Sequence, residues 1–163
     1  MREASLIDDR LWQGKEPECT NNPEPLTGVH VLVLCWREGE AHWGRFSGRG
    51  VLLVPCPMRD DYLELQDEDR ARALATSRIL AHYLKTGRSR ILVTCHEGRN
   101  RSGLVSALTL MRLYGWTGAR AAEWVQRKRA GSLTNPHFLR SLQELTELPS
   151  LAPSLLESPT KVG

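Results

Sequence analysis

The sequence predicts an α/β fold with a central, mostly parallel sheet flanked by helices. Val29–Trp36 is a nearly unbroken, β-branched apolar run, which is typical of a strand covered on both faces. Ile91–Val93 is a second run of this kind, and it continues directly into Thr94 and Cys95. Segments with helical spacing of apolar residues alternate with these runs. Such alternation is typical of a sheet with helices packed on its faces.

Two further segments complete the predicted strands. Leu6–Gln13 indicates an opening strand or strand pair. Val51–Val54 is a short apolar run that we expect Pro55 and Pro57 to stop. Residues 37–50 contain four glycines and many charges, which favours a long exposed connection.

Four segments are predicted to be helices. The first has apolar residues at helical spacing from Asp67 to Lys85, and Gly87 is a plausible stop. Thr117 and Asn135 are suitable capping residues for the last two, and a proline follows Asn135 at the first helical position. The remaining predicted helices are Ser102–Tyr114, Gly118–Arg129 and Pro136 to about Leu148.

The length of 163 residues is sufficient for one globular domain and a short tail, since domains average roughly 150 residues. We expect the domain to occupy residues 1–148. Residues 149–163 contain three prolines and are expected to be a disordered tail.

The charge and hydropathy of the chain exclude some classes of partner. The 22 Lys and Arg residues exceed the 19 Asp and Glu residues by three, an excess too small to indicate a nucleic-acid-binding protein. No apolar run approaches the ~18 residues that a membrane span requires. Residues 1–10 lack the apolar segment of a secretory signal. A cytoplasmic protein without a membrane partner is expected.

The four cysteines form no Cys-x-x-C pair and have no histidine at zinc-ligand spacing. No metal and no cofactor are therefore expected. Cys35 and Cys56 lie in or beside apolar strands and are interpreted as small buried hydrophobic residues.

One loop has the composition of an anion-binding site. It joins the strand that ends at Cys95 to the buried helix after it, so backbone N–H groups without helical partners and the helix dipole are expected to converge there. Gly98 permits a tight turn. The predicted phosphate-binding residues are His96, Glu97, Gly98, Arg99, Asn100 and Arg101. Residues 95–101 are called the anion loop below.

Three residues of this region are candidate catalytic residues. Arg101 begins the helix, where its planar guanidinium could bind two phosphate oxygens at once. Cys95 lies in a field that stabilises a thiolate, and a thiolate facing a bound phosphorus is a nucleophile. Ser102 could donate a hydrogen bond to that sulfur.

The pattern Cys-x5-Arg-Ser, with glycine at its fourth position, resembles the signature of cysteine-dependent protein tyrosine phosphatases, and its setting resembles the dual-specificity branch. Leu133–Phe138 is also similar to the segment before that family's last helix, so the resemblance covers about Leu6 to Leu148. It implies the phosphatase fold, a phosphocysteine intermediate on Cys95, and phosphate binding by Arg101.

The resemblance further implies a general-acid aspartate on a loop before the cysteine. Asp60 lies 35 positions before Cys95, and Pro57 precedes it by three residues, as is frequent in the family. Asp61 has the same chemistry and remains an alternative. The family usually has histidine before the cysteine, whereas this chain has Thr94.

The expected activity is hydrolysis of phosphotyrosine, and of phosphoserine or phosphothreonine, in a phosphorylated protein substrate. Three alternatives stay open: an RNA 5′-phosphatase, a non-catalytic phosphate-binding module, and a rhodanese-type sulfur transferase. The sequence does not determine the oligomeric state. Outside the loop, residues 127–129 (Arg-Lys-Arg) are interpreted as a solvated helix end, and Trp43 as an exposed aromatic that could border the active site.

Overall fold

A five-stranded sheet forms the centre of the protein, as a computed structural model describes it for residues 4–17 and 26–149, without the side chains of residues 41 and 42. The strands are β1 (Ala4–Asp8), β2 (Leu11–Lys15), β3 (Val31–Trp36), β4 (Leu52–Met58) and β5 (Ile91–Cys95), in the spatial order β1-β2-β5-β3-β4. Only the pair β1/β2 is antiparallel; β2/β5, β5/β3 and β3/β4 are parallel. The predicted mostly parallel sheet is confirmed.

Within the described residues, four α-helices accompany the sheet: α1 (Asp67–Thr86), α2 (Arg101–Tyr114), α3 (Gly118–Lys128) and α4 (Pro136–Gln143). As predicted, α2 is buried along most of its length. The predicted caps are also present, since Thr117 accepts a hydrogen bond from the Arg120 amide and Asn135 accepts one from the His137 amide. Each cap satisfies a backbone donor that the helix itself leaves free.

The two faces of the sheet are covered by different parts of the chain. In β3, Val31, Val33 and Cys35 pack in the core that contains the apolar residues of all four helices. Leu32, Leu34 and Trp36 alternate with them and pack in a second cluster with Phe46. Successive side chains of a strand point to opposite faces, so α1–α4 lie on one face and the segments around residues 26–53 cover the other.

Strand β4 differs from the prediction, because it continues through Pro55 and Pro57 to Met58. Proline cannot donate a hydrogen bond to a neighbouring strand, but an edge strand needs donors on one side only. Strand β4 lies at the edge of the sheet beside β3. The expectation that these prolines stop the strand was therefore wrong.

The connection after β3 is exposed at most of its described residues, as predicted. It is not a simple loop, because Arg37–Phe46 forms a 3₁₀ helix in which Phe46 is 2% exposed. Trp43 is half-buried, not exposed, since its ring packs edge-on against Trp36 with 6.0 Å between ring centroids.

Helix α4 is shorter than predicted. It ends at Gln143, and the chain then turns so that the Leu145 carbonyl accepts a hydrogen bond of 2.8 Å from the Gly118 amide. A continued helix would use that carbonyl for its own hydrogen bonds. The predicted disordered tail lies, apart from Pro149, outside the described residues, and so does Cys19.

No α-helix in the described part of the chain is long and apolar enough to cross a membrane. Residues 4–17 and 26–149 also contain no cluster of three or more His, Cys, Asp or Glu side chains that could hold a metal ion.

Gly118 provides a test of the contact between α3 and α4. A Cβ atom at this position would lie 1.8 Å from the Leu142 carbonyl oxygen. We expect Gly118→Ala to lower the free energy of unfolding by about 2 kcal/mol, the usual cost of overpacking, and the melting temperature by about 5 °C. Gly44→Ala is the matched control, because a Cβ there meets no atom within 4 Å. Equal melting temperatures for the two variants would contradict the close contact.

Candidate active site

The candidate site lies at the carboxyl edge of the parallel strands. Glu16, Glu38 and Asp60 follow β2, β3 and β4 within two residues, and Cys95 is the last residue of β5. Because these four strands are parallel, their carboxyl ends lie at one edge of the sheet. Residues far apart in sequence are thereby gathered around the anion loop, which connects β5 to α2.

The anion loop turns sharply at Gly98, as the sequence predicted. Gly98 has φ +65°, in the left-handed region, and a Cβ atom there would lie 2.3 Å from the Gly14 carbonyl carbon. Only glycine permits both the conformation and this approach of the loop to the end of β2.

Groups outside the loop bind its carbonyl oxygens. The Gly98 carbonyl accepts hydrogen bonds from Gln13 Nε2 at 3.1 Å and from Arg129 Nε at 2.6 Å. The Arg99 carbonyl accepts one from the Leu133 amide at 3.3 Å. In a trans peptide the N–H and C=O groups point in opposite directions. The amides of Arg99 and Asn100 therefore point away from these partners.

Sequence analysis missed two of these supports. Gln13 is fully buried within β2. A glutamine in an apolar strand was the sequence feature that could have indicated a buried polar partner. Arg129 was interpreted as part of a solvated helix end, but it is half-buried and binds the loop. Its neighbours Arg127 and Lys128 lie over the Trp124 ring, with cation-to-centroid distances of 5.0 and 4.8 Å.

Cys95 and Ser102 are in contact, as the sequence predicted. Cys95 Sγ lies 3.2 Å from Ser102 Oγ, and both residues are buried. A hydroxyl at this distance can donate a hydrogen bond to a thiolate. The two atoms belong to the end of β5 and the first turn of α2, so the fold itself brings them together.

Arg101 is anchored at one end of its guanidinium. Its Nη1 donates to Glu38 Oε2 at 2.6 Å and to the Met58 carbonyl at 3.1 Å. Its Nε is buried and has no hydrogen-bond partner in the described residues. An unpaired buried donor is costly, and a bound oxyanion would satisfy it.

Both members of the Arg101–Glu38 pair are held in their charged forms. Burial alone would raise the pKa of Glu38, but hydrogen bonds from its own backbone amide and from Arg101 outweigh burial and lower it. Burial would lower the pKa of Arg101, but the hydrogen bond to Glu38 and the attraction to its carboxylate help to raise it instead. Sequence analysis did not identify Glu38, because its approach to Arg101 depends on the 3₁₀ helix.

Asp60 is joined to the anion loop and to α4. Its Oδ2 accepts a hydrogen bond from Asn100 Nδ2 at 3.1 Å, and its Oδ1 accepts one from Asn135 Nδ2 at 2.8 Å. Asp61 is exposed, and its Oδ1 accepts a hydrogen bond from the nearby Leu63 amide at 3.2 Å. Of the two aspartates, Asp60 is the one whose carboxylate is fixed beside the loop.

Asn100 connects three segments of the site. Its side-chain oxygen accepts hydrogen bonds from Thr134 Oγ1 at 3.3 Å and from the Asn135 amide at 3.0 Å, while its nitrogen donates to Asp60. Sequence analysis identified Asn135 only as a helix cap. Its second contact, to Asp60, joins residues 75 positions apart, and no neighbouring residue in the sequence indicates it.

The outer rim of the loop is polar and exposed. His96 Nδ1 lies 2.9 Å from Glu16 Oε1, and His96 Nε2 lies 3.5 Å from Glu97 Oε1. The side chains of His96 and Glu97 are 59% and 58% exposed. Both side chains therefore lie on the outer face of the loop rather than beneath it.

Thr94 occupies the position before Cys95 and is completely buried. Its Oγ1 donates a 2.7 Å hydrogen bond to the Val33 carbonyl. The hydroxyl therefore ties the end of β5 to β3, next to the start of the loop.

Cys35 and Cys56 are completely buried free cysteines, as predicted. Burial, together with a hydrogen bond to Cys56, raises the pKa of the Cys35 thiol well above its ordinary value. A neutral thiol in the core is the expected form of a small buried hydrophobic residue.

Comparison with solved structures places the fold among phosphatases. Human DUSP28 superposes with a TM-score of 0.72 and 26% identity, over 88% of this chain and 92% of that protein. A mouse putative dual specificity phosphatase complexed with zinc tungstate also gives a TM-score of 0.72, with 25% identity over 88% of this chain and 86% of that protein.

Curated relatives agree with this placement. Human protein phosphatase Slingshot homolog 1 is 28% identical over 149 residues, which are 88% of this chain and 13% of that protein. The Arabidopsis thaliana dual specificity protein phosphatase 1 is 27% identical over 143 residues, which are 86% of this chain and 68% of that protein. The chain spans 23% of the Arabidopsis thaliana protein-tyrosine-phosphatase IBR5, to which it is 35% identical over 60 residues.

A family model decides the assignment. The model described as dual specificity phosphatase, catalytic domain, matches residues 12–147, which begin at the second residue of β2 and include every later element and the whole candidate site. The chain therefore belongs to the dual specificity phosphatase family, within the superfamily of cysteine-dependent protein tyrosine phosphatases.

Proposed function

We propose that this protein hydrolyses phosphotyrosine and phosphoserine or phosphothreonine in protein substrates through a phosphocysteine intermediate. The main support for the proposal is that three side chains lie together at one edge of the sheet. Cys95 is beside Ser102, Arg101 has a buried donor without a partner in the described residues, and Asp60 is fixed to the anion loop. The relatives named as protein phosphatases support a phosphoprotein substrate.

In the first step, Cys95 attacks phosphorus as a thiolate. A sulfur–phosphorus bond forms, the bond to the leaving oxygen breaks, and Asp60 gives that oxygen a proton. The loop amides and Arg101 hold the equatorial oxygens, where the charge of the transition state is spread. Glu38 positions Arg101 by occupying Nη1, which leaves the Nε side for phosphate.

In the second step, water attacks phosphorus and the sulfur–phosphorus bond breaks. Asp60, now a carboxylate, accepts a proton from the water, and Cys95 leaves as a thiolate. Ser102 Oγ, 3.2 Å from the sulfur, stabilises that thiolate with a hydrogen bond. No step requires a metal, since Arg101 and the amides provide the positive charge.

Cys95→Ser tests the nucleophile. A serine hydroxyl is far less ionised than a thiol, so we expect hydrolysis of aryl phosphates and phosphopeptides to be abolished while binding of phosphopeptides persists. Turnover of p-nitrophenyl phosphate and titration calorimetry with a phosphotyrosine peptide measure the two effects. Cys56→Ser, in the core, is the matched control and should remain active. Activity in the Cys95 variant would refute the mechanism.

Arg101→Lys tests the two-pronged phosphate contact. Lysine keeps the charge but loses the planar fork and the bond to Glu38, so kcat/KM should fall about 10- to 100-fold. The same change at Arg88, which precedes β5 at the opposite edge of the sheet, should leave kcat/KM unchanged. An Arg101→Lys enzyme within twofold of wild type would mean that Arg101 does not bind phosphate.

Asp60→Asn tests the general acid and is paired with Asp61→Asn. A general acid contributes roughly 10²–10⁴-fold, or about 3–5 kcal/mol of the barrier. We expect kcat to fall by this factor for Asp60→Asn on a phosphopeptide, and by much less on p-nitrophenyl phosphate, whose leaving group needs little protonation. Asp61→Asn should resemble wild type on both substrates. The reverse result would assign the role to Asp61.

A further inference from the structure

One peptide bond at the end of β4 is held from both sides by charged side chains. The Met58 carbonyl accepts a hydrogen bond of 3.1 Å from Arg101 Nη1, and the Arg59 amide donates one of 3.1 Å to Asp69 Oδ2. The peptide between Met58 and Arg59 is trans, so its carbonyl and its amide point in opposite directions. Asp69 and Arg101 therefore lie on opposite sides of one peptide unit, and Asp69 has no part in the mechanism above.

The Asp69 carboxylate has hydrogen bonds at both of its oxygens. Asp69 belongs to the first turn of α1 and is 7% exposed. Its Oδ1 accepts a hydrogen bond of 3.1 Å from Arg72 Nη1, which also donates to the Pro57 carbonyl at 2.6 Å. The Asp69–Arg72 pair thus binds the backbone on each side of Met58.

The end of β4 needs such support because the sheet does not fix it completely. Strand β4 lies at the edge of the sheet, so only β3 pairs with it. Between Pro55 and Met58, β4 advances three residues while β3 advances two, from Leu34 to Trp36. An extra residue of this kind, a β-bulge, bends the strand and interrupts its pairing. Side chains of α1 therefore help to set the direction in which the chain leaves β4 towards Asp60.

The shared peptide links Asp69 to the orientation of Arg101. A carboxylate that accepts a hydrogen bond from a peptide N–H polarises that peptide, so its carbonyl becomes a stronger acceptor. Asp69 thereby strengthens the hydrogen bond from Arg101 Nη1 to Met58, at the same nitrogen that Glu38 binds. This contact keeps Nε, the buried donor without a partner in the described residues, directed towards the proposed phosphate site.

The same contact fixes the backbone just before Asp60. Asn100 and Asn135 bind the Asp60 carboxylate, but these hydrogen bonds orient it correctly only while its backbone keeps one position. Asp69 binds the amide of the preceding residue. Asp69 therefore constrains both groups that the proposed mechanism requires on this side of the site.

Stabilisation of the helix dipole does not account for Asp69. Three acidic residues, Asp67, Glu68 and Asp69, occupy the first turn of α1, where any carboxylate is favourable. Asp67 and Glu68 are exposed, whereas Asp69 is buried. Burial of a carboxylate is costly unless it is hydrogen-bonded, and all the hydrogen bonds of this one lead to the end of β4 or to Arg72.

We propose that Asp69 is a positioning residue, which holds the general acid Asp60 and the phosphate ligand Arg101 in place through the peptide between Met58 and Arg59. This inference rests on the proposed function, because it takes Asp60 as the acid and Arg101 as the phosphate ligand. Asp69 acts through the backbone and not on the substrate.

Asp69→Ala tests the effect on the acid through the leaving group. We expect kcat/KM for phenyl phosphate, whose leaving oxygen needs a proton, to fall about tenfold more than kcat/KM for p-nitrophenyl phosphate. That factor is part of the ~10²–10⁴-fold that a general acid contributes. A variant that is only less stable would lose activity on both substrates equally, because a smaller folded fraction lowers both rates by the same factor.

Inhibition by inorganic phosphate tests the effect on Arg101. In Asp69→Ala the inhibition constant should rise about three- to tenfold, as weakening one hydrogen bond of a charged group would give. Asp67→Ala is the matched control, since it removes an exposed carboxylate from the same turn of α1. This control should keep the wild-type substrate ratio and the wild-type inhibition constant.

Arg72→Gln is a second variant that retains the Asp69 carboxylate. It removes the contacts to Pro57 and to Asp69 Oδ1, so both measurements should change in the same direction as in Asp69→Ala. Arg78→Gln, an exposed position six residues further along α1, is its control and should resemble wild type. If Asp69→Ala does not fold, Arg72→Gln decides the question, and wild-type values in it would overturn the proposal.

Asp60→Asn separates failure of this inference from failure of the proposed function. It should change the substrate ratio at least as much as Asp69→Ala does. A ratio that changes in Asp60→Asn but not in Asp69→Ala would overturn the positioning role alone, and so would an unchanged inhibition constant in Asp69→Ala. A ratio that stays at the wild-type value in Asp60→Asn would show that Asp60 is not the acid, and would overturn both.

Discussion

The contact between Gly98 and the end of β2 is the constraint on which the rest of the site depends. The loop backbone lies so close to Gly14 that no Cβ can enter, and Gln13 and Arg129 bind the Gly98 carbonyl. The loop cannot relax outward without losing these hydrogen bonds. Its curvature sets where Cys95 points before the turn and where Arg101 begins the helix after it. An anion-binding site formed by backbone amides needs this support, because backbone groups, unlike side chains, cannot change rotamer to improve their position.

Polar side chains then join loops that belong to different strands. Asn100 and Asn135 hold Asp60 against the anion loop, and Glu38 holds Arg101. Asn100, Arg101 and Asn135 are buried, so leaving them without a partner would be costly, and a satisfied network selects one geometry. The network thus orients the proposed acid and the arginine that is proposed to bind phosphate before any substrate arrives. Such preorganisation lowers the barrier because little rearrangement remains for the reaction itself.

Charge is distributed unevenly around the site. Glu38 is paired with Arg101 on one side, whereas Lys15 and Arg99 contribute cations without partners in the described chain on another. Exposed charges of this kind are screened by water and salt, so each one contributes little by itself.

The sequence by itself determined the mostly parallel sheet, the helix caps, the turn at Gly98 and the contact between Cys95 and Ser102. These features depend on local patterns: apolar periodicity, capping residues, and a glycine and an arginine at short spacing. The extent of β4 depended on its place at the edge of the sheet, which no local pattern reveals. The tertiary structure alone decided that Glu38 meets Arg101 and that Gln13 supports the loop. The resemblance favoured Asp60 over Asp61, and the structure shows that the Asp60 carboxylate is the one fixed beside the loop. These contacts join residues 40 to 85 positions apart, and they form only because parallel strands bring their carboxyl ends to one edge.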